Sequence, residues 1–374
     1  MTLRGAFRGR LIKVGHWLGE RGHRSASARL YSLVAKVEPD AAHATYYRVQ
    51  ALIQEGRIAA AIEQYPAVLE ELPDFAYGHF QYGWLLQRVD RDSDAVDAFD
   101  RALQLDPGVA AWHASRGFSL WRLERPSEAE ASLRRALRHD EHCTEALFDL
   151  GLLLMRADRF GEAITCYRAA LAIKPDTDAS CNLAYLLEGY GRFADAERVV
   201  RAALRHDPLD PTLASHLASV LHRQGRTPDA MQVLRSAEAR TPDDFAVVSA
   251  LVEVLIETGQ HQEGLAAAER LSRSHPDAAA QSFLGWAQLE SGNAPLALEI
   301  LDAALAAHRD GDDDSLRAEI RGIRAAALGA LGRHAEADAV FVELERQYPQ
   351  VFARNADLRE YAARTREHLM GPPG

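Results

Sequence analysis

Hydrophobic residues recur at three- and four-residue intervals along nearly the whole chain, in paired stretches separated by a glycine or an acidic residue. In one pair Phe148, Leu152 and Met155 precede Asp158, and Ile164, Tyr167 and Leu171 follow it. Residues at that spacing share one face of a helix, so each pair predicts two amphipathic helices meeting at a turn. The pairs repeat. Pro39, Pro73, Pro107, Pro175, Pro208, Pro242, Pro276 and Pro349 are separated by 34, 34, 68, 33, 34, 34 and 73 residues. The step of 68 is a double one with Glu141 in the empty place, and the step of 73 spans Arg309 and an insertion around Asp310 to Ser315.

Numbering each repeat so that the proline is position 32, position 20 holds Ser27, Ala61, Ala95, Ala129, Ala163, Ala196, Ala230, Gly264, Ala297 and Ala337. A small residue there lets the two helices approach closely. Position 24 carries a larger apolar residue in every repeat but one, Tyr31, Tyr65, Phe99, Leu133, Tyr167, Val200, Leu234, Leu301 and Phe341, with Ala268 the exception. Burying one such side chain stabilises by ~1.5–3 kcal/mol. The turn, position 15, is glycine except at Asp90, Glu124 and Asp158. Pro126, Pro228 and Pro295 follow turns, where a first helical turn has no N–H bond to lose, whereas Pro66 falls inside a second helix and predicts a kink.

This pattern resembles the tetratricopeptide repeat. Gly151, Leu154, Asp158, Ala163, Tyr167, Ala170 and Pro175 match its consensus closely, and the resemblance covers about ten units from residue 8 to 351. It implies an all-α fold: a right-handed α-α superhelix of helix-turn-helix units, residues 1–351, lined on its inner face by the first helix of each unit. The first and last units are atypical. Phe352, Leu358, Tyr361, Ala362 and Leu369 make one apolar stripe, so residues 352–370 are expected to cap the open end, with 371–374 a disordered tail.

The resemblance also assigns the groove to positions 2, 5, 9, 12 and 13. In units two to five these hold Tyr46, Tyr77, Phe80, Trp84, Phe118, Trp121, Phe148, Leu152 and Met155; in units six to eight Tyr185 is the only ring, among Ser215, Ser219, Ser249 and Glu253. Position 13 repeats Arg88, Arg122 and Arg156, with Arg223 further on. Guanidinium binds carboxylates in bidentate fashion and stacks on rings, so this combination suits an extended peptide with acidic or carboxylate groups and apolar anchors. The competing explanations are that the rings pack on each other and that arginine at a helix C-terminus answers the helix dipole. The family's chaperone-tail clamp and asparagine ladder are both missing, since position 6 reads Gln81, Ser115, Asp149, Asn182 and His216.

Composition narrows the function. With 47% hydrophobic residues the 374-residue chain has material for a core, and its net charge of −11 argues against a general nucleic-acid coat. No apolar run is long enough to span a membrane, no leader is evident, and Cys143, Cys166 and Cys181 match neither a disulfide framework nor a zinc pattern; a cytoplasmic setting is expected. No cofactor or metal is expected. His139 to Cys143 contain zinc-ligand types, but His139 repeats as His206 in a duplicated Arg-His-Asp segment; Asp310, Asp312, Asp313 and Asp314 resemble a calcium loop without its closing glutamate. His79 and His113 share position 4, a packing position, and no nucleotide, metalloprotease or serine-nucleophile motif occurs. The chain is therefore expected to be a non-catalytic scaffold or adaptor binding a protein or peptide in its groove.

Residues 1–36 carry Arg4, Arg8, Arg10, Lys13, Arg21, Arg24, Arg29 and Lys36 against Glu20. The alternative function that follows is an accessory subunit of an enzyme or envelope glycan or polymer assembly machine, docked through this basic helix on an acidic partner or, peripherally, on an anionic membrane. Leu3, Phe7, Leu11, Val14 and Leu18 are expected instead to pack that helix onto its neighbours.

Overall fold

In each of the ten repeats the position-15 residue has positive φ, from 57° at Glu124 and Asp158 to 84° at Gly292. A left-handed residue ends a helix by turning its last carbonyls back onto the following N–H groups. Arg159 N–H thus bonds the Leu154 carbonyl at 2.9 Å, and Arg226 N–H the Leu221 carbonyl at 2.9 Å. Hairpins result.

The computed structural model describes residues 3–308 and 314–370, and among these every regular element is a helix. The chain divides into two compact units, Met1–Pro175 and Asp176–Gly374. The first unit holds α1 (Leu3–Glu20), α2 (Arg24–Val37), α3 (Ala41–Gln54), α4 (Ile58–Glu71), α5 (Ala76–Gln87), α6 (Asp92–Leu105), α7 (Ala110–Arg122), α8 (Pro126–His139), α9 (Thr144–Arg156) and α10 (Phe160–Ile173). The second holds α11 (Thr177–Gly189), α12 (Phe193–Leu204), α13 (Pro211–Arg223), α14 (Thr227–Glu238), α15 (Phe245–Glu257), α16 (His261–Ser274), α17 (Ala278–Glu290), α18 (Ala294–Ala307), α19 (Asp314–Ala330), α20 (His334–Gln347), α21 (Pro349–Arg354) and α22 (Ala356–Met370). Odd-numbered helices up to α19 are the first of a hairpin, and α4 runs on through Pro66.

The core sits between successive helices. Ser27, Ala61, Ala95, Ala129, Ala163, Ala196, Ala230, Ala297 and Ala337 have no exposed surface, and every position-24 residue is buried. Where position 8 is glycine, the position-24 side chain of the same hairpin packs over it. A Cβ on Gly83 would stand 2.8 Å from the Phe99 ring, on Gly117 2.7 Å from Leu133, on Gly151 2.8 Å from the Tyr167 ring and on Gly285 2.6 Å from Leu301. Where position 24 shrinks to Ala268, position 8 has grown to Val252.

Two termini differ from the sequence pattern. Val14 is 46% exposed, because α1 packs on α2 through Gly15, where a Cβ would stand 3.6 Å from Leu30 and from Tyr31; Leu11 and Leu18 are half-buried, and Leu3 and Phe7 have side chains outside the described residues. The Ser27 hydroxyl donates to the Gly15 carbonyl at 2.7 Å, which accounts for serine at a position otherwise alanine or glycine. Residues 352–370 are not one helix: Asn355 separates α21 from α22, and its side-chain oxygen accepts the Leu358 N–H at 3.1 Å. Leu358 and Ala362 are buried, while Leu369 is exposed. Residues 371–374 and Asp310, Asp312 and Asp313 lie outside the described residues.

Candidate binding groove

Of the residues that register assigns to the groove in units two to five, Tyr46 lies on α3 and the others lie on α5, α7 and α9 or immediately after α5, all within the first unit. On α5, Tyr77, Gln81, Trp84 and Arg88 follow one another at four-, three- and four-residue steps and so share a face. Tyr77 and Trp84 are exposed, at 44% and 39%. The Arg88 guanidinium lies 4.8 Å from the Trp84 ring centroid, within cation–π range.

Gln81 organises this face. Its side-chain oxygen accepts from the Tyr65 hydroxyl and from Gln50 Nε2, both at 2.8 Å, and its amide donates to the Tyr77 hydroxyl oxygen at 3.2 Å. Because Tyr77 is the acceptor in that bond, its own O–H can donate to a further group. Phe80, on the adjoining face, is half-buried and stacks on Trp112 at 5.4 Å and 15°, so it is part of the contact between α5 and α7.

The three arginines are not equivalent. Arg122 forms ion pairs with Asp90 and, at 3.2 Å, with Asp92, whose side chain is only 7% exposed. Asp92 also accepts from the Ser119 hydroxyl at 2.9 Å, and Gln87 Nε2 donates to Ser119 Oγ at 2.9 Å and to the Ser115 carbonyl at 3.1 Å. Arg122 is thereby the counter-ion of a buried carboxylate that joins the third hairpin to the fourth. Arg156, by contrast, lies over the Trp121 ring at 4.8 Å, and Arg122 over Phe118 at 5.9 Å.

Phe118 and Trp121 contact each other at 5.8 Å and are half-buried. Phe148 meets the buried Tyr167 edge-on at 5.9 Å, and Met155 is half-buried. Mutual packing of rings and groove exposure thus coexist: Phe80 and Phe148 face inward, whereas Tyr77, Trp84, Arg88 and Arg156 are exposed. Residues that the sequence pattern did not single out for the groove are Gln87, Asp92 and Ser119. Gln81 stood out there only as a missing asparagine, and Asp149 likewise. Burial raises the Asp149 carboxyl to about 7, helped by the nearby Glu145 charge.

Outside the groove, His79 and His113 each donate Nε2–H to the carbonyl of the repeat proline six residues earlier, Pro73 at 2.9 Å and Pro107 at 3.0 Å. Burial lowers the His113 value and raises those of Cys143 and Cys166. Among the described residues no group of three or more His, Cys, Asp or Glu could hold a metal ion, and no helix is long and apolar enough to cross a membrane.

The second unit presents different chemistry at the same positions. Tyr185 is exposed, Arg223 pairs with Glu188 at 3.4 Å, Glu257 pairs with His222 at 2.7 Å, and Glu290 accepts from the Tyr361 hydroxyl. A cleft of about 210 Å³ is lined by Glu253, Glu257, Phe283, Trp286, Glu319 and Tyr361 among others.

Tandem hairpins with close-packed small positions and variable inner positions define a helical-repeat scaffold. Family models described as tetratricopeptide repeat match residues 16–74, 52–110, 80–138, 115–177, 181–245, 221–287 and 278–303. The chain belongs to the tetratricopeptide-repeat family. Among solved structures it is similar to a tetratricopeptide repeat protein from Parabacteroides merdae, at 15% identity and a TM-score of 0.51 over 75% of this chain and 98% of that one. YrrB, described as a TPR protein with an unusual peptide-binding site, shares 21% identity with a TM-score of 0.42 over 50% and 96%. PilF of Pseudomonas aeruginosa shares 19% with a TM-score of 0.46 over 54% and 92%. At these identities the likeness is one of fold. No curated protein matches the chain.

Proposed function

We propose that the protein is a non-catalytic scaffold that holds an extended segment of a protein partner along α5, α7 and α9. Trp84 and Trp121 supply ring faces, Arg88 and Arg156 supply cations beside them, and the Tyr77 hydroxyl supplies a hydrogen-bond donor. Phe80, Phe118, Phe148 and Met155 form the apolar floor. The observation that carries this reading is the pairing of exposed Trp84 with Arg88 at 4.8 Å at the end of α5, together with a second such pair at 4.8 Å between Trp121 of α7 and Arg156 of α9. Two cation-capped rings on successive hairpins suit a ligand bearing carboxylate or carbonyl acceptors between apolar side chains. Arg122 anchors the wall more than it contacts the ligand.

The test is affinity capture from the native host's lysate with mass spectrometry, comparing the wild type with Arg88→Glu combined with Arg156→Glu. A partner held by the wild type and lost by a variant of unchanged circular dichroism supports the groove. A partner held equally by both removes it.

A further inference from the structure

An exposed stripe on α1 has no role in the groove. Arg10, Val14, Trp17 and Arg21 succeed one another at four-, three- and four-residue steps, which places them on one face, and all four are exposed. Trp17 is 49% exposed, and the Arg21 guanidinium lies 4.6 Å from its ring centroid. Residues 1–36 carry eight basic side chains and one acidic. The opposite chemistry occurs in the second unit. Residues 176–374 carry 20 basic and 31 acidic side chains, so the whole net charge of −11 resides there. The 210 Å³ cleft on that unit sets three exposed glutamates, Glu253, Glu257 and Glu319, around Phe283, Trp286 and Tyr361. It is smaller than the ~300–1,000 Å³ that drug-sized ligands occupy, and so suits a single side chain presented by a protein.

We propose that the α1 stripe of one copy docks into the glutamate-and-aromatic cleft on the second unit of another copy. Trp17 enters against Phe283, Trp286 and Tyr361, while Arg10 and Arg21 meet the glutamates. Ring-on-ring contact and charge complementarity act together, and the encounter is steered by opposite fields that salt screens. The contact is heterologous, head to tail, so it builds oligomers whose size rises with concentration. A membrane is the weaker occupant, because among the described side chains of α1 Leu11 and Leu18 are half-buried and only Val14 and Trp17 are both apolar and exposed.

Sedimentation velocity of the full chain tests this. The wild type is expected to grow in mass with concentration at low salt and to fall to monomer at high salt. Arg10→Glu with Arg21→Glu, and separately Glu253→Lys with Glu319→Lys, should each stay monomeric, because each loses one half of the contact. Their mixture should associate again, because each retains the half the other lacks. Trp17→Ala, at an exposed position that leaves the fold intact, should weaken association at least tenfold. A wild type that is monomeric at every concentration, a doubly reversed α1 variant that assembles normally, or a mixture that stays monomeric would overturn the proposal. So would retention of the wild type on vesicles of anionic lipid with no self-association, which would assign the stripe to a lipid surface.

Discussion

Hairpins three to five and hairpins six to nine share a backbone plan and differ at three positions. At the turn, the former use Asp90, Glu124 and Asp158 with positive φ, whereas the latter use Gly191, Gly225, Gly259 and Gly292. At the start of the first helix, the latter are capped by Asp176, Asp210, Asp244 and Asp277, whose carboxylates accept N–H groups at 2.8, 3.0, 3.1 and 2.9 Å; Phe75, Val109 and Cys143 stand there in the former and offer no such bond. An aspartate cap is worth ~0.5–2 kcal/mol over an apolar residue. At position 13 the former carry Arg88, Arg122 and Arg156; the latter run through Gly189, Arg223, Glu257 and Glu290. The regular second unit keeps local rules that the first breaks where its candidate groove lies. Natural chains tend to break such rules at functional sites.

The largest effect that sharpens this contrast is expected at Arg122. Arg122→Ala leaves the buried Asp92 carboxylate with Ser119 alone, and removing one partner of a buried pair costs several kcal/mol; with Arg122 29% exposed, about 2–3 kcal/mol is expected. Arg88→Ala and Arg156→Ala should stay within about 0.5 kcal/mol. Urea midpoints measure all three. Equal losses at the three positions would restore the arginines to a uniform ladder.

Next is the partner once captured. Trp84→Ala or Trp121→Ala should weaken it by about 2 kcal/mol, roughly thirtyfold, while Tyr185→Ala in the second unit leaves affinity unchanged. Titration calorimetry reads the difference. A loss at Tyr185 and none at either tryptophan would move the site to the other unit.

A smaller effect concerns Asp149. Its carboxyl titrates near 7 in the folded chain against 3.8 as an isolated group. Between these values the unfolded chain releases the proton and the folded chain keeps it, so folding stability falls as pH rises from about 4 to 7 and is level above. Asp149→Asn removes that slope. It should be more stable than the wild type at pH 8 by about 1–2 kcal/mol, discounting for partial exposure, and similar to it at pH 4. Parallel wild-type and variant curves would show that Asp149 is hydrated.

Positions fixed by helix-to-helix distance were legible in the sequence because the same contact recurs ten times. Ala61 or Ala163 cannot grow without moving a neighbour, and each repeat restates it. The groove positions were located by register, but their partners were not. The Gln81 network depends on Tyr65 and Gln50 from the preceding hairpin, 16 and 31 residues away, and the Arg122–Asp92 pair crosses 30 residues between side chains that no periodicity marks. Val14 shows the converse. Its apolar character predicted burial, yet Gly15 beside it gives the closer approach, and a valine costs little on the surface.

The smallest effect tests whether the acidic turns are a strain tolerated for a purpose. A non-glycine residue in the left-handed region costs ~1–2 kcal/mol, against which glycine loses ~0.5–1 kcal/mol more chain entropy on folding. Glu124→Gly, at φ 57°, should therefore raise stability by about 0.5 kcal/mol. Asp90→Gly gains the same relief but takes one carboxylate from Arg122, so its stability should not rise. If Asp90→Gly stabilises as much as Glu124→Gly, the Asp90–Arg122 pair contributes nothing and the acidic turns of the first unit are merely alternatives to glycine. If it does not, the turn carboxylate is held at its unfavourable backbone angle because it positions the next hairpin's arginine on the groove wall.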